Sequence, residues 1–243
     1  MPVALQVIAL TALLLLAQEC LRRAGKWVVW GLFLVVPFAL TPYWFRVNEF
    51  RPFVWVKFYT VFFCVGWGVA LRFTSLGDRA WARLAVPVLI AVNILEAATL
   101  DALGRGLGHK LNAVAGVLLV ATLPYRRKDA AINAASSCRD IHLGTSRGWV
   151  VGYALWNWVF VYLNYPAYVG HHTVVLLCGL IVGAIDPRLW AQSRGCLLGL
   201  NFLGMATFNA GMVSWLDTSN WFDSGMGVVA AGIALAFVAG YSL

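Results

Sequence analysis

Long apolar stretches alternate with short polar or charged segments along the whole chain. A hydrocarbon core about 30 Å thick requires about 20 residues of helix, with a range of about 17–25. Helices are required because backbone groups in lipid must find hydrogen-bond partners within their own segment. We therefore predict one helix for each of nine apolar stretches, at residues 2–19, 27–44, 54–73, 85–103, 108–125, 148–168, 172–190, 195–213 and 225–243.

The nine stretches predict an all-α fold, namely a polytopic integral membrane helix bundle of about nine transmembrane helices. The fifth stretch has an uninterrupted apolar run of roughly 14 residues, which is short for a span. Between seven and nine stretches are therefore expected to cross the membrane. The longest connection, 126–147, is polar, and the sequence contains no internal repeat. Residues 1–243 are predicted to form a single transmembrane domain with no soluble domain.

Composition indicates that these stretches face lipid. The chain is 61% hydrophobic and 12% charged, whereas soluble domains carry about 25% charged residues. The lipid bilayer is therefore the expected partner. The net charge of +8 is assigned to basic loops and not to nucleic-acid binding. The five cysteines form no C-x-x-C pair, so neither a disulfide framework nor a zinc site is expected.

Basic residues are distributed unevenly between alternate loops. If the N-terminus lies outside, the inner loops hold 13 basic residues, including the cluster Arg126, Arg127 and Lys128, and the outer loops hold 5. This count places Arg194 in an inner loop and Lys57 in an outer loop. Because inner loops of membrane proteins are enriched in Lys and Arg, the pattern predicts an N-out, C-in topology in a bacterial inner (plasma) membrane.

The stretch NWVFVYLNYPAYVGHH, residues 157–172, carries polar side chains within an apolar, aromatic segment. Asn157 and Asn164 are seven residues apart, which returns to nearly the same face of a helix. Asn201 and Asn209 form a similar polar face in the eighth stretch. Polar faces of membrane helices turn toward other helices or toward a water-filled space. These side chains therefore either bond neighbouring helices only, or line a site.

Glu96 is the acidic residue placed deepest in a predicted helix. It is the twelfth residue of the fourth stretch, and Asn93 lies three residues earlier on the same face. An ionisable group at that depth costs about 2.5–3.5 kcal/mol on insertion scales and requires a partner or a cavity. Glu96 is therefore either a functional carboxyl or a protonated carboxyl that bonds Asn93 or another helix.

Most other deep polar groups fall in the outer half of the predicted topology, which predicts an outward-facing polar pocket around Glu96. Glu96 and Asp101 are the candidate catalytic acids. His171 and His172, at the rim, are the candidate ligands of a divalent metal. The remaining candidates would bind the ligand, and they are Asn93, Asn157, Asn164, Tyr165, Asn209, Asp217 and Asp223.

Three classes of function fit these observations. The sequence contains no G-x-S-x-G elbow, H-E-x-x-H motif or P-loop, and no lysine follows Lys128 to form a retinal Schiff base. We favour a pocket that binds or transports a cation or a small polar ligand. One alternative is an intramembrane enzyme acting on a lipophilic substrate, either a general-acid isomerase or cyclase or a metal-assisted hydrolase. The other alternative is a structural subunit of a membrane complex.

Overall fold

Nine helical rods account for most of the part of the chain that the structure describes. The computed structural model describes residues 2–126 and 129–242, and 82% of the chain is helical. Short 3₁₀ turns precede the seventh and eighth helices. The helices are α1 (Val3–Arg23), α2 (Lys26–Val47), α3 (Pro52–Phe73), α4 (Ala80–Leu103), α5 (Leu107–Ala121), α6 (Arg147–Asn164), α7 (Val169–Ile185), α8 (Trp190–Trp215) and α9 (Ser224–Ser242).

Each predicted stretch overlaps one of these helices, and the all-α fold class is confirmed. Within the described residues, seven helices are long and apolar enough to cross a membrane, namely α1–α4 and α7–α9. Helix α5 has only 15 residues, and α6 has 18 residues that include several Trp, Tyr and Asn side chains. Seven long apolar helices indicate an integral membrane protein. The count of nine crossings stays a prediction.

Local sequence signals explain how several helices begin. Pro52 occupies the first turn of α3, where a backbone N–H would have no helical partner. Ser146 caps α6, because its Oγ accepts a hydrogen bond from Trp149 N at 3.1 Å. Inside α2, residues Gly31–Val35 form a π-helical turn shortly before Pro37. The proline cannot donate to the preceding turn, which accounts for the local change in helix type.

A β-hairpin inside the polar connection 126–147 was not predicted. Strands β1 (Ala130–Asn133) and β2 (Asp140–Leu143) pair antiparallel. Each strand has only four residues, and β1 does not alternate apolar with polar positions, so the sequence pattern did not identify the pair. Of the basic cluster used to predict the topology, Arg127 and Lys128 lie outside the described residues.

The hairpin covers one end of the helix bundle, called the hairpin end below. Near the end of α1, Arg22 Nη2 lies 2.8 Å from Oδ2 of Asp140. Near the end of α3, Arg72 donates to a carbonyl in the hairpin turn at 2.8 Å. In the first turn of α4, Arg83 donates to the Ala130 carbonyl at 3.2 Å. The hairpin therefore joins helix ends that are far apart in the sequence.

The remaining helix ends follow the same arrangement. The Tyr241 hydroxyl near the end of α9 lies 2.7 Å from Ser146 Oγ at the start of α6. Thr145 donates to the carbonyl of Pro187, between α7 and α8, at 2.7 Å. Successive helices thus run in alternate directions. The opposite end of the bundle, called the far end, holds the connections after α2, α4, α6 and α8.

Two hydrophobic cores lie side by side in the bundle. One is formed by α2, α3 and α8 and includes the buried residues Phe33 and Trp44. The other is formed mainly by α4–α7 and α9 and includes Trp149 and Trp156. Large apolar side chains are exposed on the outer surface, as expected for contact with lipid, and examples are Leu16, Phe38, Phe63 and Ile233. The candidate site lies between the two cores.

Candidate ligand-binding cavity

A cavity of about 290 Å³ lies between the two cores and extends toward the far end. Its wall consists of residues from α3, α4, α6, α7 and α8, and the exposed residues Glu49 and Arg51 lie at its mouth. Aromatic side chains make up much of the wall. Five predicted site residues line the cavity, and they are Asn93, Asn157, Asn164, Tyr165 and His172. The structure therefore brings together residues from three separate predicted stretches.

Arg194 is a buried cation in the cavity wall, with only 6% of the residue exposed. Its Nε donates to the Tyr153 hydroxyl at 3.3 Å, and its Nη2 donates to Asn157 Oδ1 at 3.0 Å. Its Nη1 is buried and has no hydrogen-bond partner among the described residues. None of the ion pairs formed by the described residues includes Arg194. The guanidinium is therefore a positive charge inside the bundle without a counter-ion.

His172 shares the side-chain oxygen of Asn157 with Arg194. Its Nε2 lies 2.5 Å from Asn157 Oδ1 and 3.4 Å from Arg194 Nη2. Because an amide oxygen only accepts hydrogen bonds, Nε2 carries a hydrogen in this arrangement. A single asparagine thus positions both the guanidinium and the imidazole. This contact gives Asn157 a role that its place in a helical polar face did not reveal.

Glu96 is paired with a lysine and does not line the cavity itself. Lys57 Nζ lies 3.1 Å from Glu96 Oε2, and Thr60 Oγ1 donates to Oε1 at 3.1 Å. Lys57 also donates to the carbonyl of Asn93 at 2.6 Å. The two charged side chains are 13% and 21% exposed, respectively. The partner expected for a carboxyl at this depth is therefore Lys57, which lines the cavity.

Asp101 lies in a separate polar cluster that joins α4, α5 and α6. This candidate catalytic acid is fully buried. Its Oδ1 lies 2.8 Å from His109 Nδ1 and accepts from Asn164 Nδ2 at 2.8 Å. Its Oδ2 accepts from Asn112 Nδ2 at 2.7 Å. Two amide donors and one histidine ring nitrogen therefore surround this carboxylate, and Asn164 connects the cluster to the cavity wall.

Three predicted ligand-binding residues lie outside the cavity wall. Asn209 Oδ1 accepts a hydrogen bond from the hydroxyl of Tyr168, a cavity residue, at 2.8 Å. Asp217 and Asp223 each accept a backbone N–H hydrogen bond at 2.8 Å from a residue two or three positions later. The two aspartates thus stabilise the connection between α8 and α9 and the first turn of α9. Any part that they have in ligand binding stays a prediction.

The two adjacent histidines face different surroundings. His172 is in the cavity wall, whereas His171 is 1% exposed and its ring centroid lies 6.4 Å from that of Trp215. Neither ring nitrogen of His171 has a hydrogen-bond partner among the described residues. Over residues 2–126 and 129–242, no three His, Cys, Asp or Glu side chains come together as a metal-binding group. Metal binding by either histidine stays a prediction.

A second, smaller cavity of about 130 Å³ lies on the hairpin side of Arg194. Its lining includes Arg22 and Arg72, which bond the hairpin, and Ile141 of β2. Three residues line both this cavity and the larger one, and they are Asn93, Arg194 and Leu198. These three residues separate a cavity on the hairpin side from a cavity that extends toward the far end.

Besides the exposed Glu49 and Arg51 at the mouth, Lys57 and Arg194 are the charged residues that line the cavity, and neither was predicted as a site residue. Arg194 had been assigned to a loop because its apolar run was taken to begin at residue 195, whereas Lys57 lies inside the predicted stretch 54–73 but was counted with the outer-loop charges. A short turn that begins at Pro187 leads into α8, so Arg194 lies inside that helix, and Lys57 lies inside α3. Pro187 was the signal that would have moved the start of the eighth helical segment ahead of Arg194.

The family model that matches the chain covers residues 2–125, which is 124 of the 243 residues. The chain belongs to DUF5692. This family is described as one of unknown function. The DUF5692 match extends over α1–α5, so it includes Lys57 and Glu96 but not Arg194. No curated protein and no solved structure matches the chain.

Proposed function

We propose that this member of DUF5692 is an integral membrane protein that transports a small polar ligand between the two ends of its helix bundle. The observation that carries this proposal is the pair of cavities that share Asn93, Arg194 and Leu198 as a wall. A protein that only binds a ligand requires a single entrance. Access from alternate sides requires a binding wall that can face a cavity at either end of the bundle. The shared wall between the two cavities fits this requirement.

The depth of the shared wall supports the same proposal. Asn157, which holds Arg194, is the eleventh residue of the 18-residue helix α6. At about 1.5 Å per residue, its Cα is roughly 15 Å from the start of that helix. A hydrocarbon core is about 30 Å thick, so Asn157 would lie near its midplane. Substrate sites of many secondary transporters lie at this depth.

The charge distribution supports an orientation for the proposed nine crossings. When Arg194 and Lys57 are assigned to the interior, the sequence count changes from 13 against 5 to 12 against 4. The larger group belongs to the loops at the hairpin end. We therefore propose that the hairpin end is cytoplasmic, that the N-terminus is outside, and that the protein lies in a bacterial inner membrane.

The contacts of the two acidic residues favour transport over the other two functions. A general acid must hold a proton that it can donate. Glu96 accepts from Lys57 and Thr60, and Asp101 accepts from Asn112 and Asn164, so the oxygens of both carboxyls are already occupied as acceptors. A structural subunit would require the polar contacts but neither cavity. Because Lys57 neutralises Glu96, a polar ligand is also favoured over a cation.

Access of water-soluble reagents to Asn93 tests the proposal. We expect that Asn93→Cys, in a variant whose five native cysteines are replaced by alanine, reacts with a charged, membrane-impermeant methanethiosulfonate reagent from either side of oriented proteoliposomes. Val92→Cys is the matched control, because Val92 is the adjacent residue and is 44% exposed on the outer surface of α4. A lipid-facing thiol should not react from either side. Reaction of Asn93→Cys from one side only would contradict transport.

A further inference from the structure

The unpaired guanidinium of Arg194 indicates the charge of the ligand. An arginine side chain keeps its positive charge at all physiological pH values. Burial of a charge without a counter-ion is strongly unfavourable, and buried charges in proteins are normally paired. Arg194 has only neutral partners among the described residues, and its Nη1 has none. A ligand that supplies a negative charge beside the guanidinium would complete this site.

The other charges around the cavity cancel. Lys57 is neutralised by Glu96. At the mouth, the lining includes one acid and one base, Glu49 and Arg51, and both are exposed to solvent. Among the side chains that line the cavity, the charge that remains is +1, from Arg194. A ligand with one negative charge would balance it, whereas a dianion such as a phosphate monoester would leave a buried negative charge.

The size and wall of the cavity indicate the rest of the ligand. A water molecule takes about 30 Å³ of liquid volume, so a cavity of about 290 Å³ has room for roughly ten waters. A bare halide ion would leave most of this space unfilled. Phe53, Phe160 and Phe202 in the wall provide an apolar surface for a ligand body. The site therefore combines one cationic group with a mainly aromatic chamber.

We propose that the ligand is a small organic monocarboxylate. Its carboxylate pairs with the Arg194 guanidinium, beside Asn157 and His172, and its apolar body lies against the phenylalanines. This inference rests on the proposed function, because it identifies the ligand class of the same cavity. It would hold equally if the protein bound the ligand without moving it.

Thermal stability of the purified full-length protein in nanodiscs tests the ligand class at constant ionic strength. The probes are sodium benzoate and sodium hexanoate, compared with benzamide, benzylamine and phenyl phosphate. A ligand that binds only the folded state stabilises it by an amount that grows with the logarithm of ligand concentration over Kd, so a tighter ligand raises the melting temperature more at equal concentration. We expect the two monocarboxylates to stabilise the parent protein, and the neutral, cationic and dianionic compounds to have much smaller effects.

Two variants test whether Arg194 is the group that binds the carboxylate. Arg194→Gln removes the charge, and carboxylate binding should weaken by about 10- to 100-fold, as expected for a lost hydrogen bond to a charged group. Asn157→Asp places a carboxylate where Oδ1 now lies 3.0 Å from Nη2. It should stabilise the ligand-free protein and remove its response to benzoate, because the guanidinium then has an internal counter-ion. Arg188→Gln, at an exposed arginine paired with Asp186, is the matched control.

Specific outcomes would overturn the ligand class. These are no stabilisation by either carboxylate, equal stabilisation by benzamide or benzylamine, or an unchanged response in Asn157→Asp. The labelling of Asn93→Cys gives an independent result. Labelling from both sides without carboxylate binding would reject the ligand class and leave transport standing. Carboxylate binding with labelling from one side would support the ligand class and reject transport.

Discussion

Lys57 of α3 and Glu96 of α4 form an ion pair beside the cavity, with Nζ 3.1 Å from Oε2. Lys57 lines the cavity, and Glu96, which does not line it, balances the charge of Lys57. Thr60 donates to the second carboxylate oxygen at 3.1 Å. Both charged side chains are more than three-quarters buried. The behaviour of Glu96 therefore depends on a lysine that lies 39 residues away in the sequence.

Glu96→Gln is expected to lower the thermal stability of the protein. If Glu96 were an unpaired buried carboxyl, replacing it by an amide would remove an unfavourable buried charge and stabilise the protein. Here the change instead leaves Lys57 without its counter-ion. Loss of one partner of a fully buried pair costs about 3–5 kcal/mol. Because both side chains are partly exposed, we expect about 1–3 kcal/mol. The double variant Lys57→Met/Glu96→Gln should recover much of the loss, and melting temperatures in detergent would measure it.

The exposed pair Arg188–Asp186 is the control for this double-mutant cycle. Its Nη2–Oδ2 distance is 2.9 Å, and Arg188 is 60% exposed. Exposed ion pairs contribute about 0.2–1 kcal/mol, so Asp186→Asn should be nearly neutral. If Glu96→Gln is no more destabilising than Asp186→Asn, the ion pair with Lys57 does not stabilise the folded protein.

Asp101→Asn is expected to be more destabilising than the same change at Asp223, which lies at the start of α9. Each oxygen of Asp101 accepts from one asparagine amide, so the new amide nitrogen would face one of these two donors, which would lose its acceptor. We expect a loss of roughly 2–4 kcal/mol. Asp223→Asn is the control, because among the described residues its Oδ1 accepts only from Met226 N, and asparagine is also a good cap. Equal melting temperatures for the two variants would contradict the role of Asp101 in joining three helices.

Asp140 in β2 is expected to make stability depend on pH at the hairpin end. Burial raises the pKa of Asp140, but hydrogen bonds from Arg22, Gln192 and Ser136 lower it by more than burial raises it. The pKa therefore lies below its usual range. The carboxylate therefore stabilises the folded state above the ordinary aspartate pKa of about 3.9. This stabilisation is lost as pH falls from that value toward the lower pKa of the folded state.

At pH 7, Asp140→Asn should therefore have a free energy of unfolding roughly 1.5–3 kcal/mol lower than the parent, and it should melt at a lower temperature. The difference should shrink when melting is measured below about pH 3.9. Asp78→Asn is the control, because Asp78 is 76% exposed and 3.9 Å from Arg139. A constant difference between Asp140→Asn and the parent across this pH range would reject the assigned charge state of Asp140.

Reporter fusions can test on which side of the membrane each end of the bundle lies. A reporter inserted near Ser137 in the hairpin and one fused after the end of α9 should report the same, cytoplasmic side. This follows because Tyr241 of α9 contacts Ser146 at the hairpin end. A reporter inserted near Ser219 should report the outside, because the connection between α8 and α9 lies at the far end. Reporters on the same side at Ser137 and Ser219 would contradict the alternating arrangement of α6–α9.

The sequence by itself determined where the helices lie. Nine stretches were predicted and nine helices occur in residues 2–126 and 129–242. This succeeds because runs of apolar side chains and helix-internal hydrogen bonds are local properties of the chain. It also singled out Asn93, Asn157, Asn164, Tyr165 and His172, which line one cavity, because a polar group in an apolar helix must face away from lipid.

Only the tertiary structure decided which polar groups meet. The separation along the chain is 39 residues for Lys57 and Glu96, 37 for Arg194 and Asn157, and 63 for Asn164 and Asp101. Helical periodicity states which face of a helix is polar, but it does not state which helix packs against that face. The charge of the cavity follows from these pairings, because they neutralise Lys57 and leave Arg194 unpaired. The expected site for a cation or a small polar ligand therefore became a proposed carboxylate site only after the helices were packed together.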